Sequence, residues 1–284
     1  MKFKDHNVLI TGGASGIGKI MGRMSLERGA SNLFIWDLNE NNIEKTISEL
    51  GSDKVHGFRV DVTDKDVIVK TYNEIKERFG GVDILINCAG IVLNNKYFHE
   101  QSFKELDLTL DINAKGEMYT TLAMLPDMIA RDSGHVCNIA SEAGILSIPK
   151  MSPYVASKWA VIGWSDSLRL EFKQLKSHVR VTTAAPYFIN TGLFDGVRSP
   201  IIPILKPEPT ARKIMNAIER NKNYRGIPFS YHFSRATEAL LPTFIFDWFF
   251  GKVAGVYTCM DHFTGRKKEN AAMVADNGKK EQRA

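Results

Sequence analysis

The residues best suited to chemistry are Tyr154 and Lys158, in SPYVASKWAVIG, four apart and therefore on one face of a helix. Free tyrosine titrates at about pH 10, so a tyrosine that exchanges protons near neutrality needs a cation close by to favour its phenolate. Lys158 supplies that charge. Spacing alone does not establish the point, because Tyr72 and Lys76 in TYNEIK have the same separation, where an exposed helical face accounts for them. What sets the second pair apart is Ser141, at the end of the strand-like HVCNIAS and shortly before Tyr154. Strand ends of this kind form the carboxyl edge of a parallel sheet, where α/β folds bind ligands.

A second constellation lies near the N-terminus. Gly12, Gly16 and Gly18, in TGGASGIG, fall between an apolar strand and a helical pattern, where glycines let backbone approach a pyrophosphate at a helix N-terminus. Their order is G-x-x-x-G-x-G, not the usual G-x-G-x-x-G, and a tight connection is the plain alternative. Asp37, at the end of FIWDLN, stands where a carboxylate accepts both ribose hydroxyls of an adenosine; its alternative role is an N-cap for NENNIEK. That carboxylate would repel a 2′-phosphate, and residues 13 to 15 contain no basic side chain, so NAD is expected in preference to NADP.

Positioning these groups requires a particular frame. Short apolar runs (Val8 to Ile10, SNLFIW, VHGFRV, VDILIN, HVCNIA, VRVTTA) alternate with helix-length stretches, among them one from about Phe103 to Arg131 and one from about Pro153 to Leu175. Strands joined by helical crossovers make a parallel sheet covered on both faces. The expected fold is α/β: a single doubly wound Rossmann domain over residues 1–265, with a central, mostly parallel seven-stranded sheet completed by a strand at Gly226 to Phe229. A proline-rich segment at about 191–207 reads as a substrate lid, residues 232–257 as an apolar helical stretch interrupted by one proline, and 266–284 as a disordered polar tail.

Composition narrows the function. The chain is 44% hydrophobic and 24% charged, which suits a globular core. The net charge of +5 comes largely from the tail, and the body has no basic stripe with interleaved aromatics, so nucleic acid is not an expected partner. Cys88, Cys137 and Cys259 have neither disulfide nor metal-ligand spacing; no metal site is expected, and a reducing compartment fits. The apolar run in MKFKDHNVLITGG is too short for a signal-peptide core or a membrane span, and ALLPTFIFDWFFG is broken by Pro242 and Asp247. A cytoplasmic protein, with peripheral membrane association through that second segment, is the expectation.

Taken together, these motifs resemble the short-chain dehydrogenases/reductases over Val8 to about Thr191. The family's glycine motif reads as TGGASGIG, its acidic pair as Asp61-Val62, its NNAG motif as Asn87, Cys88, Ala89 and Gly90, and its catalytic set as Asn113, Ser141, Tyr154 and Lys158. The resemblance implies that Tyr154 exchanges the proton and Ser141 holds the substrate oxygen. It implies that Lys158 binds nicotinamide ribose and lowers the tyrosine pKa, and that Asn113 helps position Lys158 through water. Cofactor contacts would come from Gly12, Ser15, Gly16, Ile17, Gly18, Asp37, Asp61, Val62, Asn87, Ala89, Gly90, Tyr154, Lys158, Pro186, Ile189 and Thr191. Two departures are Cys88 for the second Asn of NNAG and Tyr187 for the glycine that usually follows Pro186.

WDLN, PYFINTG and VYTCMDHFTGR are similar to the retinol dehydrogenase and 17-beta-hydroxysteroid dehydrogenase type 11 and 13 branch, which acts on lipophilic alcohols beside membranes and lipid droplets. Members usually begin with a hydrophobic anchor, and none is expected from MKFKDHNVLITGG. The expected activity is NAD-dependent interconversion of a lipophilic alcohol (retinol, steroid or long-chain type) and its aldehyde or ketone, in a homodimer or homotetramer. An NADPH-dependent carbonyl reductase is the alternative within chemistry. A non-catalytic nucleotide or lipid-surface binding protein is the alternative outside it.

Overall fold

The computed structural model describes residues 1–266. Seven strands form one sheet: β1 (Asn7–Thr11), β2 (Asn32–Asp37), β3 (Val55–Arg59), β4 (Ile84–Asn87), β5 (His135–Ile139), β6 (Arg180–Pro186) and β7 (Tyr224–Ile227). Their order is β3-β2-β1-β4-β5-β6-β7, and every pairing is parallel. Strand order reverses between β1 and β4, which opens a crevice beyond their carboxyl ends.

The near-continuous apolar strands follow from burial on both faces. Alternation along each strand divides the core: Val8, Ile10, Leu33, Ile35, Ile84 and Ile86 pack to one side of the sheet. Leu9, Phe34, Trp36, Leu85, Val136 and Val181 pack to the other. The first layer is covered by α1 (Gly16–Glu27), α2 (Glu40–Leu50) and α7 (Pro207–Glu219). The second is covered by α3 (Lys65–Phe79), α5 (Gly116–Ala130) and α6 (Ser152–Gln174).

Several boundaries differ from the sequence reading, each for a local reason. The stretch from Phe103 is not one helix: α4 (Phe103–Leu110) joins α5 through a π-helical turn, Asp111–Lys115, of the kind that recurs at functional sites. The last strand lies slightly earlier than expected and stops at Ile227, since Pro228 has no N–H for a ladder. The C-terminal apolar stretch divides at Pro242 into α8 (Ser230–Leu240) and α9 (Thr243–Asp247), with a π-helical turn at Trp248–Val253 followed by turns. Beyond Arg266, the polar tail lies outside the described residues.

Candidate active site

The glycine turn leaves β1 and enters α1 with Gly12 (φ 64°) and Gly16 (φ 52°) in the left-handed region. A Cβ at Gly12 would lie 2.9 Å from Ala89 Cα, and one at Gly18 only 2.3 Å from Gly12 O, so the turn has no room for side chains at those positions. Thr11 Oγ1 draws the segment after β4 against it, accepting from the amides of Cys88 (3.0 Å) and Ala89 (3.1 Å). Ser15 stands at the N-cap of α1 and makes no side-chain cap bond among the described residues, so the first-turn amides, including those of Ile17 and Gly18, have no side-chain acceptor there. That cradle fits a pyrophosphate.

Asp37 ends β2 beside the glycine turn. Its carboxylate accepts from Ala14 N at 3.2 Å and Asn39 N at 3.1 Å. The cap of α2 is Asn39, which accepts from Asn42 N, so Asp37 has no capping role and turns towards the glycine loop. Burial raises its pKa against the opposing pull of those amide bonds. Asp61 caps its own turn by accepting from Thr63, while Val62 packs with Ile91, Leu108 and Ile112. The side-chain amide of Asn87 is committed to a buried network, donating to Asn138 Oδ1 (2.8 Å) and Thr121 Oγ1 (2.9 Å). Pro186 ends β6, Ile189 bridges to Leu205, and Thr191 lies against Gly16.

One residue on this side was not legible in the sequence. Arg266, assigned there to the polar tail, turns back so that its guanidinium lies 3.7 Å from where a Cβ on Gly16 would be, 3.4 Å from Thr191 O. It places a cation beside the glycine turn and lowers the pKa of Asp37 against burial.

The candidate catalytic groups converge at the carboxyl ends of β5 and β6. Ser141 follows β5; its Oγ accepts from Ala143 N at 3.2 Å and donates to Pro186 O at 3.4 Å. Tyr154, in the first turn of α6, is buried, with its ring edge-on to Phe194 at 5.9 Å. Lys158 lies one turn further on, where Nζ donates to Ile139 O at 2.7 Å and Glu117 Oε1 at 3.1 Å. Burial raises the Tyr154 pKa, and this outweighs the lowering by Lys158 and Ser141. Lys158 moves up because Glu117 and Tyr154 together outweigh its own desolvation. Asn113 sits in the π turn, but its side chain reaches the backbone of Ile91 (2.7 and 2.9 Å) and Ser157 Oγ rather than Lys158.

Beside Ser141 and Tyr154 lies an apolar chamber. Leu146, Ile148, Tyr187, Phe188, Val256 and Cys259 line it together with Ser141 and the buried carboxylate of Glu142, and Phe194, Val197, Met260 and Phe263 pack in the neighbouring cluster. Segment 191–207 packs into this cluster and is fastened by the C-terminal turns: Arg198 N donates to Cys259 O, and Asp195 O accepts from Thr264 N and Gly265 N. Within that segment, Phe194, Ile202 and Leu205 join the cluster, whereas Ile201 and Ile204 are exposed. Among the described residues no group of His, Cys, Asp or Glu could hold a metal ion, and no helix is long and apolar enough to cross a membrane.

Comparison with known proteins agrees with this geometry. The short chain dehydrogenase family model matches residues 6–201, and the chain belongs to that family. It is an oxidoreductase acting on CH–OH groups, with a nicotinamide dinucleotide as the class of hydride carrier. The chain is 33% identical to human (Homo sapiens) epidermal retinol dehydrogenase 2 over 273 residues, covering 92% of this chain and 86% of that protein. It is 33% identical to human estradiol 17-beta-dehydrogenase 11 over 239 residues, covering 83% and 79%. These relatives lie in the branch named from the sequence. A short-chain dehydrogenase/reductase from Burkholderia phymatum, solved in complex with NAD, shares the fold with a TM-score of 0.75 at 23% identity, over 84% of this chain and 96% of that one.

Proposed function

We propose that this protein is an NAD-dependent dehydrogenase that interconverts a lipophilic alcohol and its aldehyde or ketone. The observation that carries this reading is the apolar chamber bordered by Ser141, with the ring of Phe194 standing against Tyr154. The chamber itself encloses only about 10 Å³, and the room for a long apolar body lies in the adjoining cavity of about 750 Å³, which shares Leu146, Ile148 and Val256 with it and is also lined by Val155, Trp159 and Phe246. The names of the relatives, a retinol and an estradiol dehydrogenase, support the same substrate class.

In this mechanism Ser141 holds the substrate oxygen by a hydrogen bond, and Tyr154 removes the hydroxyl proton in oxidation or returns it in reduction. Lys158 favours the phenolate. Asn113 acts by bracing the π turn against Ile91, which keeps α5 in register beneath Lys158. A bound nicotinamide would supply the hydride acceptor or donor for the carbinol carbon. The turn from Gly12 to Gly18, with Ser15 and Ile17, would cradle its pyrophosphate, Asp37 the adenosine ribose, and Thr191 the opposite rim. Asp61, Val62, Ala89, Gly90, Pro186 and Ile189 complete the walls of the crevice, and segment 191–207 serves as the lid.

One observation favours a second reading, NADPH-dependent carbonyl reduction. Arg266 brings a cation to the region that Asp37 otherwise makes anionic. Relative affinity for NADH and NADPH separates the two.

The C-terminal face suits docking on a lipid surface. Phe229, Phe244 and Trp248 are 83%, 74% and 58% exposed, and Leu240 and Phe249 stand near them in the chain, also exposed. Phe250, grouped with these from the sequence, instead turns inward and belongs to the chamber cluster. Exposed Phe103, Leu122 and Leu170 on α4, α5 and α6 support a homodimer or homotetramer through those helices. The decisive test of the activity is turnover with NAD across retinol, steroids, long-chain alcohols and small polar alcohols. Preference for the small polar ones would overturn the lipophilic reading and leave the oxidoreductase assignment standing.

A further inference from the structure

Glu117 lies in α5 shortly after the π turn and is 2% exposed. Its Oε1 receives Lys158 Nζ at 3.1 Å, while its Oε2 is buried with no hydrogen-bond partner among the described residues. Its backbone is held by several bonds. The backbone oxygen of Glu117 accepts from Thr121 Oγ1 at 2.8 Å and Asn87 Nδ2 at 3.3 Å, while Thr120 Oγ1 donates to Asn87 Oδ1 at 2.6 Å. Together these bonds tie α5 to the end of β4. A buried ion pair with an unsatisfied oxygen contributes little stability, because desolvation offsets the attraction. Kept beside an acid–base group, such a pair points to function.

We propose that Glu117 is a positioning residue for the proton transfer: its carboxylate orients the Lys158 ammonium and offsets its charge, so that Tyr154 ionises at a higher pH than it would beside an unpaired lysine. The inference rests on the reading of Tyr154 as the proton-exchanging group. A lone ammonium favours the phenolate, whereas an ammonium with a carboxylate at 3.1 Å acts on Tyr154 more like a dipole than a charge. Burial raises the Glu117 pKa to about 7, against the pull of Lys158, so its negative charge develops as pH rises through neutrality. The remaining ionisable groups that bear on it are Lys158 and Tyr154 from α6, Cys88 beyond β4 and Cys137 on β5. Burial pushes Cys88 up to about 12 and Cys137 well above its ordinary value, so both thiols stay neutral.

The test compares pH profiles of alcohol oxidation with NAD for the unmodified protein, E117Q, E117D, Glu117→Leu and Y154F. Ionisation of Tyr154 is read separately as the tyrosinate ultraviolet difference between each protein and the same protein carrying Y154F. Removing the carboxylate should move the rising limb of E117Q about one pH unit towards acid, with the tyrosinate titration moving alongside. Glu117→Leu, which leaves no buried amide, should shift in the same direction, and E117D should stay near the unmodified protein. An unmoved or alkaline-shifted limb in a folded E117Q or Glu117→Leu overturns the proposal. Turnover in Y154F would instead overturn the underlying reading of Tyr154, so the two failures are distinguishable.

Discussion

Two tyrosine–lysine pairs, each four residues apart on a helix and each facing a carboxylate of α5, are placed in opposite situations. In the first, Tyr72 donates to Asp127 Oδ2 at 2.7 Å and Lys76 donates to Asp127 Oδ1 at 2.8 Å. Burial and the Asp127 carboxylate both push the Tyr72 pKa upward, which fixes its hydroxyl as a donor. Asp127 moves down, because the bonds from Lys76 and Tyr72 outweigh its burial. The second pair differs in one contact. Glu117 engages Lys158, while no carboxylate binds the Tyr154 hydroxyl among the described residues. A tyrosine becomes available for proton exchange when the carboxylate binds the lysine and leaves the phenol alone.

Breaking the second pair should have the largest effect. Tyr154→Phe is expected to lower turnover about a thousandfold, within the range of general acid–base catalysis, while NADH binding measured by fluorescence stays nearly unchanged. Appreciable residual turnover would remove Tyr154 from the mechanism.

The next largest effect concerns the cofactor that the second pair serves. Asp37→Ala should narrow or reverse the preference for NADH over NADPH by about tenfold in the ratio of dissociation constants, since a like charge against a phosphate costs about 1.4 kcal/mol or more. If the unmodified protein already binds NADPH as tightly as NADH, Asp37 does not select the cofactor, and Arg266 becomes the residue to vary.

A third variant asks whether the chamber draws its substrate from lipid. Phe244→Ala/Trp248→Ala/Phe249→Ala should reduce co-sedimentation with anionic vesicles severalfold, because removal of exposed aromatics forfeits apolar burial at the interface. Co-sedimentation equal to that of the unmodified protein would dissociate this face from membrane binding. Phe250 is left intact because it packs in the core beside the chamber.

The smallest effect sharpens the comparison from the other side. Tyr72→Phe should leave turnover unchanged but cost about 1 kcal/mol of stability, a fall in Tm of about 2 °C, through loss of the bond to Asp127. The sequence reading put Tyr72 on an exposed face, and its 3% exposure corrects that. A loss of turnover without any change in Tm would mean that the two pairs are not functionally distinct.

Much of the frame was legible because apolar period and turn chemistry are local properties. TGGASGIG between a strand and a helix, Asp37 at the end of β2 and Ser141 at the end of β5 each report on their immediate neighbours. Less legible were features that join distant segments. Glu117 reads in isolation as an ordinary helical glutamate, and only the approach of α5 to α6 brings it to Lys158. Arg266 sits in a basic stretch that resembles a solvated tail, and only the fold of the C-terminal turns over segment 191–207 carries it to Gly16. The orientation of Phe250 likewise depends on a π turn that no period announces.

The amino-acid order alone therefore determined the parallel α/β frame, the strand ends and the residues Ser141, Tyr154 and Lys158, because these depend on side-chain period and on glycine placement within single elements. Tertiary structure decided which groups are left to react. In two tyrosine–lysine pairs with identical spacing, the carboxylate supplied by α5 reaches both phenol and ammonium in one and the ammonium alone in the other, and that is set by helix packing on one face of the sheet.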